Sequence, residues 1–100
     1  MQNHHDAQTL VLCALCDGPL HGYAINVAIE KMTGRRLGVG SLYGALTRLE
    51  AKGLIESLEE VARTRPVQLT SKGRQVVEQE LRAMARVAEV GLRGLGIEPA

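Results

Sequence analysis

Aromatic residues are nearly absent from this 100-residue chain, which has no Trp, no Phe and only two tyrosines, Tyr23 and Tyr43. Its hydrophobic core must therefore be built from Leu, Val, Ile, Ala and Met. The sequence also lacks a run of about eighteen apolar residues that could span a membrane, and no charged segment leads into an apolar one as in a secretory signal. We expect a single domain that works in the cytoplasm and makes no contact with a membrane.

Cysteine and histidine are too few for an obvious metal site. Cys13 and Cys16 form one isolated C-x-x-C motif, and no second pair completes a zinc site. On a helix this spacing cannot close a disulfide without distortion. We therefore expect two small buried apolar side chains, with metal binding or redox sensing as the alternative. The adjacent His4 and His5 are expected to be a mobile, solvated pair. No nucleophile–base pair or phosphate-binding loop is apparent, so the sequence predicts neither an enzyme nor a cofactor.

Positive charge is unevenly distributed, although the net charge is only +1. Residues 1–30 contain no Lys or Arg, whereas residues 31–74 contain nine of the twelve, against four glutamates. A cationic segment in an otherwise neutral chain is typical of a surface that faces phosphates.

The segment 38–53 predicts a short helix between glycines, and the rest of the chain is arranged around it. Its apolar residues share one face of a 3.6-residue period; they are Leu42, Ala45, Leu46 and Leu49. The opposite face is small along its middle and polar at its margins; it carries Gly40, Gly44, Thr47 and Ala51, flanked by Ser41, Arg48, Tyr43 and Glu50. We interpret this as the recognition helix of a winged helix-turn-helix protein. The alternative is an ordinary amphipathic helix in a small bundle.

Two helices are predicted before it. Asp6 can cap a helix that runs to Cys16 and is stopped by Gly18-Pro19. A second helix is expected from Leu20 to Met32. Its predicted apolar side comprises Tyr23, Ile25, Val27, Ala28, Ile29 and Met32.

A hairpin, or wing, is predicted after it. Residues 54–58 and 65–69 read as two strands joined by residues 59–64, and Pro66 places the second strand at an edge because it cannot donate to a ladder. Arg63 and Arg65 near the tip are expected on DNA phosphates or in a minor groove. A solvated hairpin tip is the alternative interpretation.

The last predicted helix is capped by Thr70 and carries an apolar seam at alternating spacings of four and three. The seam comprises Val77, Leu81, Met84, Ala88, Gly91 and Leu95. Such a seam pairs helices, and we expect it to form a homodimer. The fold class is therefore mainly α, an α+β winged helix with a three-helix core, a two-stranded wing and a long C-terminal dimerisation helix. We expect residues 1–70 to bind DNA and residues 71–100 to dimerise, within one continuous domain.

Three motifs in order resemble the PadR family of transcriptional regulators. They are H-G-Y at 21–23, G-S-L-Y-G-A-L-T-R-L-E-A-K-G-L-I at 40–55 and L-T-S-K-G at 69–73, within a likeness that covers roughly residues 8–90. The resemblance implies a winged helix-turn-helix followed by a helix that dimerises, usually against the partner's first helix. It also implies a repressor, and some members are released from DNA by small phenolic or drug-like molecules.

Carried over by position, the resemblance makes Ser41, Tyr43 and Arg48 recognition-helix contacts and Arg63 and Arg65 wing contacts. The chain departs from the family pattern at two places. Gly44 stands where proline is common, and residues 64–68 lack the glycines and the pair of tyrosines that are usual before L-T.

The sequence thus predicts a homodimeric repressor on double-stranded DNA with a palindromic operator, with two recognition helices in successive major grooves. Base reading is expected from Ser41, Tyr43, Thr47 and Arg48, with Gly44 allowing close approach. A small-molecule effector is a further expected partner. The alternative function is a winged-helix protein–protein adaptor without DNA binding, which would not show the steep salt dependence of DNA association.

Overall fold

The computed structural model describes residues 6–97, so His4 and His5 lie outside the described residues. The helices are α1 (Ala7–Ala14), α2 (Gly22–Thr33), α3 (Val39–Ala51) and α4 (Ser71–Gly94). Between α3 and α4 lie strands β1 (Ile55–Ser57) and β2 (Val67–Leu69), which pair antiparallel with Ile55 opposite Leu69. This order confirms the predicted winged helix-turn-helix with a long C-terminal helix.

The core is aliphatic, as the composition requires. The largest fully buried side chains among residues 6–97 are Val11, Leu15, Ile25, Ile29 and Leu49. Helix α1 packs against α2, α3 and α4 at once, which explains why its sequence is apolar on nearly every side. Burial of each large aliphatic side chain contributes about 1.5–3 kcal/mol, so α1 is the element around which the other helices assemble.

Helix α1 ends earlier than the sequence indicates. The Asp6 side chain accepts from the Thr9 N–H at 2.8 Å, which confirms the cap. The helix stops at Ala14 and not at Cys16, because the N–H groups of Leu15 and Cys16 also bond to carbonyls three residues back, at 3.2 Å. This tighter geometry is common in the last turn of a helix.

The prediction that the second helix begins at Leu20 is wrong. Leu20 is extended and pairs with Val67: its N–H donates to the Val67 carbonyl at 3.1 Å and its carbonyl accepts from the Val67 N–H at 2.9 Å. Among the described residues the sheet consists of β1 and β2, so β2 is an edge strand as Pro66 predicts, and Leu20 adds one isolated bridge at Val67. Helix α2 begins at Gly22, after this pairing.

The apolar side of α2 is narrower than predicted. Ile25 and Ile29 are fully buried, but Tyr23 is 64% exposed and Met32 is 48% exposed. Asn26 takes a buried position instead: its side-chain amide donates to the Leu37 carbonyl and its oxygen accepts from the Leu37 N–H, both at 2.8 Å. These two bonds fix the turn that leads into α3.

Helix α4 is anchored only at its first turns. The Thr70 hydroxyl accepts from the Gly73 N–H at 3.0 Å and donates to the Gly53 carbonyl at 2.6 Å. Gly73 and Val77 are the buried residues of the helix, and the remainder of its roughly 36 Å extends away from the core. Neither α4 nor another helix among residues 6–97 is both long and apolar enough to cross a membrane.

Candidate nucleic-acid interface

The outer face of α3 is open to solvent. Leu42, Ala45 and Leu49 are buried beneath the helix and hold it to the core. The opposite side presents the residues expected to read bases: Ser41, Tyr43, Thr47 and Arg48 are all exposed. A surface with small residues at its centre and hydrogen-bonding groups at its margins has the shape and chemistry to lie in a DNA major groove.

Gly44 and Arg48 are coupled, one turn apart on this face. The Arg48 side chain folds back over the helix, and a Cβ at Gly44 would lie 2.9 Å from its Nη1 atom. The glycine thus leaves the space that the guanidinium occupies. A side chain at position 44 would have to push the guanidinium aside, so residue 44 controls where Arg48 points.

Thr47 is partly engaged within the helix. Its hydroxyl donates to the Tyr43 carbonyl at 2.9 Å, one turn before it. The hydroxyl proton is therefore occupied, and the oxygen lone pairs and the methyl group remain for an outside partner. In this rotamer Thr47 can accept from a base donor or touch a thymine methyl.

The motifs H-G-Y and S-L-Y meet in space. The Tyr43 hydroxyl lies over the start of α2, where a Cβ at Gly22 would approach it to 2.6 Å. Glycine at this position therefore lets the Tyr43 ring cover the first turn of α2. The tyrosine is still 53% exposed, so its edge is available to a ligand.

A groove of about 740 Å³ separates the helices from the wing. Tyr43 and Glu50 line it on the side of α3, His21 lines it at the start of α2, and Arg63 and Arg65 line it on the wing. The two wing cations thus face the same open groove as helix α3. This places groups suited to phosphate beside groups suited to bases, as a winged helix on DNA requires.

The tip of the wing is a tight turn with an unusual backbone. Val61 and Thr64 exchange two backbone hydrogen bonds at 2.7 and 2.9 Å. Ala62 and Arg63 between them have φ values of 51° and 66°, the left-handed region that a two-residue hairpin turn needs. This conformation costs about 1–2 kcal/mol per non-glycine residue, and it projects Arg63 from the end of the hairpin.

Arg36 makes side-chain contacts that the sequence does not predict. Its Nε donates to Glu30 at 3.0 Å, and its guanidinium carbon lies 5.4 Å from the centre of the Tyr23 ring. The hydrogen bond to Glu30, with a smaller contribution from the Tyr23 side chain, raises the pKa of Arg36. These contacts explain the exposed Tyr23, because its ring supports a cation at the turn between α2 and α3.

Lys52 at the end of α3 and Lys72 at the start of α4 make hydrogen bonds that the sequence does not predict. Lys52 Nζ donates to the Gln8 side chain at 2.6 Å, and Lys72 Nζ donates to the Lys52 carbonyl at 3.2 Å. These bonds draw the starts of α1 and α4 to the end of α3.

The two cysteines are free and differ in exposure. Cys13 is partly buried and Cys16 is exposed, so the expectation that both are buried is wrong for Cys16. Burial is the first cause that raises the pKa of both thiols, which disfavours the reactive thiolate. Among residues 6–97 there is no cluster of three or more His, Cys, Asp or Glu side chains that could hold a metal.

The residues of the predicted seam on α4 have two different environments. Val77 is 2% exposed and belongs to the core of this chain. From Leu81 onward, apolar side chains of α4 face solvent. Two of them, Val87 and Val90, do not belong to the predicted seam. The exposed or half-buried apolar residues are Leu81, Met84, Val87, Ala88, Val90 and Leu95.

Sequence comparison identifies a family and one relative. Residues 11–79 match the Transcriptional regulator PadR-like family. An uncharacterised 37.1 kDa protein in transposon TN4556 of Streptomyces fradiae is 64% identical over 84 residues, which are 84% of this chain and 24% of that protein. The chain thus spans about a quarter of the length of this relative.

Solved structures share the fold. A PadR-like transcriptional regulator from Bacillus cereus has a TM-score of 0.77 at 20% identity, with 88% of this chain and 89% of that one covered. A PadR family regulator from Clostridium difficile has a TM-score of 0.74 at 23% identity, covering 89% and 97%. A transcriptional regulator from Clostridium thermocellum is 27% identical with a TM-score of 0.72, covering 87% of each chain.

Proposed function

This chain belongs to the PadR-like family of transcriptional regulators, and we propose that it is a homodimeric, sequence-specific repressor that binds a palindromic operator. Its family regulates transcription through DNA and does not consist of enzymes. The proposal places its action in the cytoplasm, on double-stranded DNA.

The observation that carries the proposal is the outer face of α3 beside the wing. Helix α3 exposes a small-centred, polar-edged surface, and Arg63 and Arg65 face the same groove from the wing. A recognition helix in the major groove with a hairpin on the flanking backbone fits both features at once.

Within this interface Arg48 is the proposed base reader. Its guanidinium lies over Gly44 on the outer face, from where it can form two hydrogen bonds to guanine. Such a pair contributes about 1–3 kcal/mol of discrimination. Ser41, Tyr43 and Thr47 are assigned the neighbouring polar contacts, because all three are exposed on the same helix.

The homodimer is proposed to form through α4. Its distal part exposes Leu81 (39%), Val87 (72%), Val90 (61%) and Leu95 (76%), and these apolar side chains lie on a helix that extends beyond its own core. Since Val77 is already buried, the interface begins at Leu81. A second copy covering these residues would hold two recognition helices at a fixed spacing, which a palindromic operator requires.

Relief of repression by a small molecule completes the proposal. A groove of about 330 Å³ lies where α4 meets the end of α1, lined by Cys16, Arg74 and Leu81 among others. An occupant there would touch the first exposed turn of the proposed dimer helix. It could therefore change the spacing of the two recognition helices and weaken binding to the operator.

Selection from random double-stranded DNA tests the function, followed by titration of the selected site at several salt concentrations. Arg63 and Arg65 from both subunits provide four proposed phosphate contacts. The logarithm of affinity should then fall against the logarithm of salt with a slope of about −3.6 or steeper, at about −0.9 per contact. No selected sequence and no salt dependence would favour the protein–protein adaptor instead.

A further inference from the structure

Val39 is an exposed apolar residue at the leading end of the recognition helix, and we propose that it reads the 5-methyl group of thymine. The inference rests on the proposed DNA-binding function and adds a specificity residue to it. Val39 is the first residue of α3 and is 72% exposed. It therefore contributes little to the core of the chain.

Open space surrounds this side chain. Gly38 and Gly40 flank it, and a Cβ built at either glycine would meet nothing within 4 Å. Because the Cα–Cβ bond of a helical residue tilts toward the N-terminus, the Val39 methyl groups extend toward the leading end of α3. Residues at the start of a recognition helix are those that reach base edges.

The backbone that carries Val39 is fixed in advance. The Asn26 side chain forms hydrogen bonds to both the N–H and the carbonyl of Leu37, each at 2.8 Å. The Gly38 carbonyl accepts the first hydrogen bond of helix α3, from the Leu42 N–H, at 2.9 Å. Val39 directly follows Gly38, so these hydrogen bonds fix the backbone on both sides of it. A preorganised apolar group loses little further freedom when it binds.

Thymine is the base whose chemistry matches this group. The floor of the major groove presents hydrogen-bond donors and acceptors, and among the four standard bases the thymine methyl is its apolar feature. A valine cannot satisfy a donor or an acceptor, so contact with a polar base edge would be unfavourable. Contact with a thymine methyl removes apolar surface of both partners from water.

The test removes one methyl group from the DNA and one side chain from the protein. In a selected operator, each thymine is replaced by uracil at symmetric positions of both half-sites, and affinity is measured for the full chain and for Val39→Ala. At one position per half-site, loss of the methyl should weaken binding of the parent about four-fold per half-site. Val39→Ala, which loses both γ-methyl groups, should show a smaller preference for thymine over uracil than the parent.

Two further variants isolate the contact. Val39→Thr keeps a methyl group and should retain the preference for thymine. Met32→Ala alters an apolar side chain that is 48% exposed but lies on α2, outside the proposed DNA and dimer surfaces, so it should leave both the affinity and the thymine-to-uracil ratio unchanged.

Two outcomes would overturn the inference. One is that no thymine position distinguishes the parent from Val39→Ala; the other is that Met32→Ala removes the preference as well. If the parent selects no DNA at all, the DNA-binding function fails first and the inference fails with it. The two failures are thus distinguished by whether the parent selects an operator.

Discussion

Replacement of Gly73 by alanine should destabilise the protein strongly, although alanine is the better helix former. Gly73 lies in the first turn of α4, pressed against the backbone of Leu54. An added Cβ would overlap the Leu54 carbonyl oxygen and lie 2.8 Å from its carbonyl carbon. A backbone group cannot rotate away as a side chain can, so α4 or the segment before β1 must shift.

The magnitude follows from three terms. Overpacking costs about 1–3 kcal/mol, and here a rigid neighbour places it at the upper end. The same Leu54 oxygen accepts from the Thr70 N–H at 3.1 Å, and loss of that bond would cost about 1 kcal/mol. The higher helix propensity of alanine, compared with glycine, offsets about 1 kcal/mol of this loss. The net expectation is a loss of about 3 kcal/mol, a large share of the 5–15 kcal/mol typical of a domain.

Urea unfolding followed by circular dichroism, at one fixed protein concentration, measures this loss. Gly40→Ala is the matched control, because Gly40 is an exposed helical glycine with nothing within 4 Å of an added Cβ. That variant should equal the parent or gain up to about 1 kcal/mol. If Gly73→Ala were as stable as Gly40→Ala, the close packing of α4 on Leu54 would be refuted.

Three other changes test the interface and the dimer. Arg48→Ala should lower discrimination at one base position by about 1–3 kcal/mol per half-site without altering unfolding; unchanged selectivity would contradict its role. Alanine at Arg63 and Arg65 should weaken binding to all sequences and flatten the salt slope by about one unit per lost phosphate contact; an unaltered slope would remove the wing from DNA. Leu81→Asp should yield monomers in sedimentation and abolish tight operator binding, because a charge buried in a dimer has no partner. A monomer that still bound the full operator tightly would refute the dimer.

Helix α3 shows how much local sequence can predict. The sequence predicts a helix within residues 38–53, and helix α3 runs from Val39 to Ala51 with Gly38 as its N-cap. Gly53 has a φ of 76°, a left-handed conformation that ends helix α3. Both the period of the apolar residues and the glycine boundaries act within a few residues, so no information from the distant chain was needed.

Leu20 shows where that reasoning stops. Nothing in its neighbourhood distinguishes the start of a helix from an extended residue, and the hydrogen bonds that decide the matter come from Val67, far along the chain. This pairing is a single bridge beside the two-stranded sheet. Strand pairing is non-local, so its partner and register depend on the assembled fold.

Tyr23 and Val77 illustrate the same division for side chains. The apolar periodicity predicts Tyr23 on the buried side of α2, but its ring is exposed on the surface and contacts Arg36. The periodicity also assigns Val77 to the apolar seam of α4, yet the packing of α4 buries Val77 in the core of this chain. Hydrophobic period identifies which face is apolar, but not which stretch of that face the rest of the fold covers.

The sequence by itself determined the number and kind of elements, the caps at Asp6 and Thr70, and the face of α3 that meets solvent, because each depends on residues within one or two turns. The tertiary structure decided the contacts between elements. It brought Gly22 under Tyr43, clamped Leu37 with Asn26 and pressed Gly73 against Leu54. These contacts join residues that are distant in the chain, and they arise only when packing brings the elements together.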